Sequence, residues 1–335
     1  MAMVDARSRP LRDLRISVTD RCNFRCTYCM PREHFGPEHE FLGREALLTY
    51  EEITTVVGAL LPSGLEKVRI TGGEPLLRRD LVKLIEMLRA TGPDLDLALT
   101  TNGVLLKKHA QALRDAGLDR VTVSLDAVDH DVFALMADTN QFGPADVLAG
   151  IEAAQDAGLG VKVNTVVRKG VNEHQITKLA DACMERSAPL RFIEFMDVGN
   201  TNAWNMEDVL TGEEIRKRIE HHVGPLFAKE DQKRSAVARA WVTESGQEFG
   251  FINSVSEPFC GDCTRARLSA NGSLYTCLFA ATGHDIKAML RMSATKADIL
   301  HAIESIWTKR RDQYSAERSS FTTSQEKVEM SFIGG

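Results

Sequence analysis

Six of the seven cysteines fall into two groups of three, and thiolates at such spacing are the ligands of iron-sulfur clusters or of zinc. The first group, Cys22, Cys26 and Cys29, is spaced C-x3-C-x2-C within Asp20-Arg-Cys-Asn-Phe-Arg-Cys-Thr-Tyr-Cys-Met30. The second, Cys260, Cys263 and Cys277, is spaced C-x2-C-x13-C. A four-iron four-sulfur cluster normally takes four cysteines, so three leave one iron open to a small molecule. Zinc is the alternative in each group, with a histidine as fourth ligand: His34 is the one near the first group, His284 the one after the second. Because a single cluster suffices to inject an electron, a second with a vacant position reads as an anchor for a substrate. Cys183 has no partner in sequence and sits in a helical stretch with Leu179 and Ala182, where a cysteine behaves as a small buried hydrophobe. An odd number of cysteines in this arrangement argues against a disulfide framework.

Between Cys263 and Cys277 runs Thr264-Arg-Ala-Arg-Leu-Ser269, where strand alternation puts Arg265 and Arg267 on one face. Two guanidiniums beside an open iron suit a phosphate chain. Arg15, Arg69 and Lys162 lie inside strand-like runs, where a cation is costly unless it meets an anion, and Thr100 ends another such run. Each alone reads as an ordinary solvated or ion-paired side chain; together they read as a polyphosphate site. The formal charge of −6 supplies no global field for nucleic acid, so any polyphosphate ligand must be held by such a local cluster. Two glycines in Thr71-Gly-Gly-Glu-Pro75 allow the backbone to come close to a ligand.

What positions these groups is a repeated βα pattern from about residue 11 to 196. Six strands are read at 14–19, 67–71, 97–101, 120–126, 161–167 and 190–196, with helical stretches at 49–61, 80–90, 107–116, 145–157 and 173–186 between them. The expected fold is therefore α/β, an incomplete (β/α)6 TIM-like barrel with its chemistry at the carboxyl ends of the strands. After residue 197 the pattern changes to a helix near 211–222 and hairpin-like strands at 236–276. The expected domains are 1–222, the partial barrel, and 223–335, an extension carrying the second iron-sulfur cluster and ending in Gly334-Gly335. No apolar run reaches the twenty or so residues of a membrane span, and a cytoplasmic location is expected. The arginines near the start are interrupted by Asp5 and Asp13, unlike a mitochondrial presequence.

The first cysteine motif, with aromatic Tyr28 before its last cysteine, resembles the signature of the radical S-adenosylmethionine superfamily. That resemblance implies that the open iron chelates the amino and carboxylate groups of S-adenosylmethionine for one-electron cleavage. It also implies that Gly73, in the Gly-Gly-Glu-Pro turn, faces the methionine amino group, and that Tyr28, Ser124 and Met196 line the same cofactor. Over nearly the whole chain, RPLRDLRISVTDRCNFRCTYCMP, VRITGGEPLLRRDL, TTNGVLLKKHA, VSLDA, RFIEFMDVGN, FCGDCTRARLS and the terminal Gly-Gly resemble the GTP 3′,8-cyclase family of molybdenum-cofactor biosynthesis. The family resemblance implies two four-iron four-sulfur clusters with three cysteines each, and GTP as substrate. The deoxyadenosyl radical takes the 3′ hydrogen, and the carbon radical then attacks C8 of guanine. Arg15, Arg265 and Arg267 match the family's essential arginines, Arg69, Thr100 and Lys162 join them in holding the triphosphate, and the Gly-Gly end reaches into the site. A one-electron reductant, a downstream cyclic pyranopterin synthase and a homodimeric state are further implications. The chain departs from the family at Met136-Ala-Asp-Thr-Asn-Gln-Phe-Gly143, where Thr139 and Asn140 stand in place of a common arginine, and that loop is expected to differ only locally.

Overall fold

The computed structural model describes residues 3–230, 232, 235–318 and 326–334. Six strands form in the predicted places: β1 (Asp13–Ser17), β2 (Lys67–Thr71), β3 (Asp96–Thr101), β4 (Arg120–Ser124), β5 (Gly160–Val167) and β6 (Leu190–Glu194). They pair in parallel in chain order, which demands a crossover after each. Helices α1 (Tyr50–Leu60), α2 (Leu81–Thr91), α3 (Leu106–Asp115), α4 (His130–Ala137), α5 (Pro144–Asp156) and α6 (Ile176–Glu185) supply those crossovers. The predicted helices agree within a few residues, whereas α4 was not read from the sequence. Its eight residues, with Asp129 as N-cap and Asp138 left-handed at the end, are too few for a periodic signal.

The barrel does not close on itself. Instead later strands extend both edges of one sheet. After α7 (Gly212–Val223), β7 (Phe227–Ala228), β8 (Arg239–Val242) and β9 (Glu248–Ile252) join through β9, which lies parallel to β6. At the other edge β10 (Arg265–Leu268) lies parallel to β1 and pairs antiparallel with β11 (Ser273–Tyr275), which in turn pairs with β12 (His284–Asp285). The strands predicted as hairpin-like do pair as hairpins, β8 with β9 and β10 with β11, both antiparallel. What their alternation did not show is that each hairpin also joins an edge of the barrel, through β9 beside β6 and β10 beside β1.

The outer faces of the six strands are apolar. Leu14, Ile16, Val68, Ile70, Leu97 and Val121 are buried under the helices. On the inner face, the alternate residues are polar: Asp13 and Arg15, Lys67 and Arg69, Thr122 and Ser124, Lys162 and Asn164 all line one cavity. A closed eight-stranded barrel fills this space with branched apolar side chains. Here a large polar ligand can enter it. Among the described residues no helix is long and apolar enough to cross a membrane.

Candidate active site

The six cysteines of the two groups, with Arg15, Arg69, Arg265, Arg267, Lys162, Thr100, Tyr28, Gly73, Ser124 and Met196, all border one cavity of about 880 Å³. Cys22, Cys26 and Cys29 stand at the end where β1 hands the chain to its following loop. Cys260, Cys263 and Cys277 stand across from them on the approach to β10 and beyond β11. Neither His34 nor His284 lines the cavity, and both are exposed, so neither zinc reading finds its fourth ligand there. Among the described residues no three His, Cys, Asp or Glu side chains converge as a single metal ion requires. Three thiols in each group, all lining the cavity, are a donor set that fits a four-iron cluster with one open iron. Cys183 is buried in α6 with Leu179 and Ala180, and burial pushes its thiol up to about 12.

The first cysteine loop is held from two sides. Backbone N–H groups of Arg25 and Thr27 donate to the carbonyls of Ala137 and Met136 at the end of α4, at 3.0 and 3.1 Å. Phe24 packs edge-on against Phe133 of the same helix, ring centroids 5.8 Å apart. The segment with Thr139 and Asn140 therefore begins immediately after the carbonyls that hold the cysteine loop, closer to the site than its sequence suggested. On the other side the Gly73 and Glu74 N–H groups donate to the carbonyls of Thr19 and Arg21, both at 2.8 Å. A Cβ on Gly73 would lie 2.3 Å from the Arg21 carbonyl oxygen. Glycine is needed here for the turn to meet the cysteine loop, as well as for any ligand to approach. Glu74 is wholly buried, accepting from Thr101 Oγ1 and the Asn102 and Leu76 N–H groups, and burial raises its carboxyl to about 7.

Burial raises the Cys22 thiol to about 12 and lifts Cys26 and Cys29 above the usual range, with the neighbouring thiols adding to the effect for both. Such thiols become ligands only when a cationic centre takes the proton's place. Tyr28 donates its hydroxyl to Asp126 Oδ2 at 2.8 Å, and burial raises Asp126 to about 6 against that bond and one from the Val166 N–H. Ser124 ends β4, and Met196 follows β6, its carbonyl accepting from the Asn202 amide at 2.9 Å.

The second cysteine loop is fastened by two arginines that sequence reasoning missed. Arg9 donates to the Cys260 carbonyl at 2.8 Å, while Arg310 donates to the Cys263 carbonyl at 2.8 Å and to its Sγ at 3.3 Å. Burial alone would raise the Cys263 thiol, but the charges of Arg265 and Arg310 bring it down to about 6. Nothing in the spacing around residues 9 and 310 signals this role, because the contacts span 251 and 47 residues of chain.

Parallel register then sets Arg267, Arg15 and Arg69 side by side on β10, β1 and β2. Adjacent strands lie about 4.8 Å apart. Burial, and for Arg15 the neighbouring Arg69 and Arg265, bring Arg15 and Arg69 down to about 10, and Arg267 falls well below the usual range. The Nε of Arg15 and of Arg69 are buried without a hydrogen-bond partner. Arg69 otherwise donates to Thr100 and Thr122, each at 3.0 Å. Burial lowers Lys162 and Lys67 to about 8, and Arg191 is lowered too. Lys67 and Arg191 also line the cavity, and the alternation that exposed Arg69 and Lys162 could have found Lys67. Asp13, Asp96 and Glu248 offset part of this charge, yet burial still lowers Arg15, Arg69, Lys67, Lys162 and Arg191, and such a wall suits a polyanion. Gly334 reaches the same place, its carbonyl accepting from Arg267, with a would-be Cβ 2.2 Å from Thr71 Cγ2. Gly335 lies outside the described residues.

An open six-stranded βα barrel with a three-cysteine loop after its first strand defines a class, the radical S-adenosylmethionine enzymes. Residues 16–183 match the model of the Radical SAM superfamily, and residues 188–316 match that of Molybdenum Cofactor Synthesis C. The chain is 48% identical to a GTP 3′,8-cyclase of Acidothermus cellulolyticus, covering 99% of this chain and 98% of that one. It is 47% identical to a GTP 3′,8-cyclase of Staphylococcus epidermidis, again over 99% and 98% of the two chains. The crystal structure of Streptococcus suis SuiB bound to S-adenosylmethionine shares the fold, with a TM-score of 0.64 at 16% identity over 93% of this chain and 68% of that one. The chain belongs to the radical SAM superfamily and, within it, to the GTP 3′,8-cyclase family.

Proposed function

We propose that the chain converts GTP to (8S)-3′,8-cyclo-7,8-dihydroguanosine 5′-triphosphate, the first step of molybdenum-cofactor biosynthesis. What carries this reading is a single cavity bordered by two three-thiol loops with a strip of buried cations on its wall. Cys22, Cys26 and Cys29 hold the first four-iron four-sulfur cluster, with S-adenosylmethionine on its open iron beside Tyr28, Gly73, Ser124 and Met196. Held by these residues, the cluster and cofactor would supply one-electron cleavage chemistry, and with it the abstraction of the 3′ hydrogen of GTP. Cys260, Cys263 and Cys277 hold a second cluster whose open iron anchors guanine. Arg15, Arg69, Thr100, Lys162, Arg265 and Arg267 hold the triphosphate, and Arg15, Arg265 and Arg267 are indispensable for turnover. Residues 1–222 form the radical-generating unit and 223–335 the auxiliary-cluster unit with its glycine tail. The enzyme works in the cytoplasm as a homodimer, takes electrons from a one-electron reductant and passes its product to a cyclic pyranopterin synthase.

The test is anaerobic turnover of reconstituted protein with reductant and S-adenosylmethionine, offered GTP, ATP or a peptide mixture. A cyclised nucleotide is expected with GTP alone, with a preference over ATP of roughly 10⁴, because a site that bonds one base edge leaves partners unpaired with the other. Comparable turnover of ATP would refute base reading, and cofactor cleavage with no nucleotide product would refute the substrate.

Gly73→Ala is expected to push the Arg21 backbone away from the turn, at a cost of roughly 1–3 kcal/mol. Iron retained by the first cluster and deoxyadenosine formed should both fall, the latter by about tenfold or more for each 1.4 kcal/mol misdirected. Unchanged deoxyadenosine yield would show that the turn tolerates a side chain.

A further inference from the structure

Arg310 follows the helix Lys296–Thr308 and is buried, although it carries a charge and lies 47 residues from the cysteine it meets. Its guanidinium is fixed by three contacts. Nε donates to Asp312 Oδ1 at 2.8 Å, Nη1 donates to the Cys263 carbonyl at 2.8 Å, and the group lies over the Trp307 ring, 4.5 Å from its centroid. With these made, Nη2 is aimed at Cys263 Sγ and donates to it at 3.3 Å.

Arg9, the other arginine that fastens this loop, differs in one respect. It donates to the carbonyls of Cys260 and Asp312 at 2.8 and 2.9 Å and to Asp5 Oδ2 at 2.7 Å, while its Nη2 has no partner. Asp5 and Asp312 each face both arginines, so their charges are offset alike, and what sets Arg310 apart is a directed N–H···S bond. In the first group Cys22 Sγ accepts from a neutral backbone donor, the Phe24 N–H at 3.4 Å. Among the described residues, then, Arg310 is the charged side chain that donates to a cysteine sulfur of either group. A donor on a ligand sulfur stabilises the more negative, reduced form of an iron-sulfur cluster, and a cationic donor does so most strongly.

We propose that Arg310, through its bond to Cys263 Sγ, raises the reduction potential of the cluster held by Cys260, Cys263 and Cys277. This rests on the second-cluster reading. The experiment is a redox titration, followed by electron paramagnetic resonance, of the anaerobically reconstituted full chain as wild type, Arg310→Gln, Arg310→Lys and Arg9→Lys, with iron and sulfide measured on each sample. The couple missing from Cys263→Ser identifies the second cluster. In Arg310→Gln, which loses the cation, that couple should fall by roughly tenfold in the reduction equilibrium, about 59 mV, while the first couple stays in place. Arg310→Lys keeps the charge without the fork and should move it less, and Arg9→Lys should move neither couple. A second couple unmoved in Arg310→Gln at full iron content overturns the proposal. An equal shift in Arg9→Lys does so too, because loop fastening would then be the cause. Loss of the second cluster from both Arg310 variants would make the side chain merely structural and overturns it as well. Wild type with a single couple and about four irons per chain would instead overturn the second-cluster reading.

Discussion

Arg267→Ala is expected to abolish cyclisation while both cysteine loops still take up iron. The side chain is buried in a row with Arg15 and Arg69, whose charge Asp13 offsets only in part. A guanidinium placed there repels Arg15 and Arg265, and a triphosphate bound as proposed would relieve that repulsion through charge-assisted bonds. Losing two such bonds lowers kcat/KM by on the order of 10²–10³. The same repulsion makes a second, opposite expectation. Arg267→Met keeps most of the volume and removes the charge, so the nucleotide-free protein should melt higher than wild type even though turnover is lost. Arg267→Lys retains charge without the fork and should fall between. Iron and sulfide per chain, kcat/KM and melting temperature separate these outcomes. Full turnover by the alanine variant would remove Arg267 from the site, and a lower melting temperature for the methionine variant would refute the repulsive row.

Removing thiolates should split the two halves of the reaction. In Cys263→Ser the Arg310 guanidinium loses the sulfur it contacts, and the second group keeps only two thiols. Iron per chain should drop from about eight to about four, since each four-iron cluster is lost as a unit. Cleavage of S-adenosylmethionine should persist at a low rate with no cyclised nucleotide. Cys26→Ala should instead leave the second cluster in place and give no deoxyadenosine. If Cys263→Ser retained its full iron and still made cyclised product, the second group would not be a cluster site. Identical behaviour of the two variants would mean that the loops do not divide the work.

The chemistry-bearing residues were legible because each carries a local signal. Cysteine spacing is a local property of the chain, and so is a cation at an inward position of a strand, where a period of two separates Arg15 from Leu14 and Ile16. The six strands and most of their helices followed from the same short-range periodicities. Short α4 gave too little of it, and the hold of its last carbonyls on the cysteine loop went unread.

What tertiary structure alone decided was which distant pieces meet. Whether β10 would pair beyond the extension or beside β1 depends on edge hydrogen bonds that any strand can offer, and that pairing puts Arg267 next to Arg15 and brings the second cysteine group to the cavity that the first one lines. Arg9 and Arg310 reach Cys260 and Cys263 across some 250 and 47 residues of chain, so no window of sequence contains both partners. The unpaired side-chain oxygen of Asn164 is likewise a fact of packing, because an asparagine in a strand shows its partners, or their absence, only when the neighbouring strands are in place. Sequence by itself determined the ligands, the charges and the βα repeat, whose physics is local; the site they build exists only through register, whose physics is not.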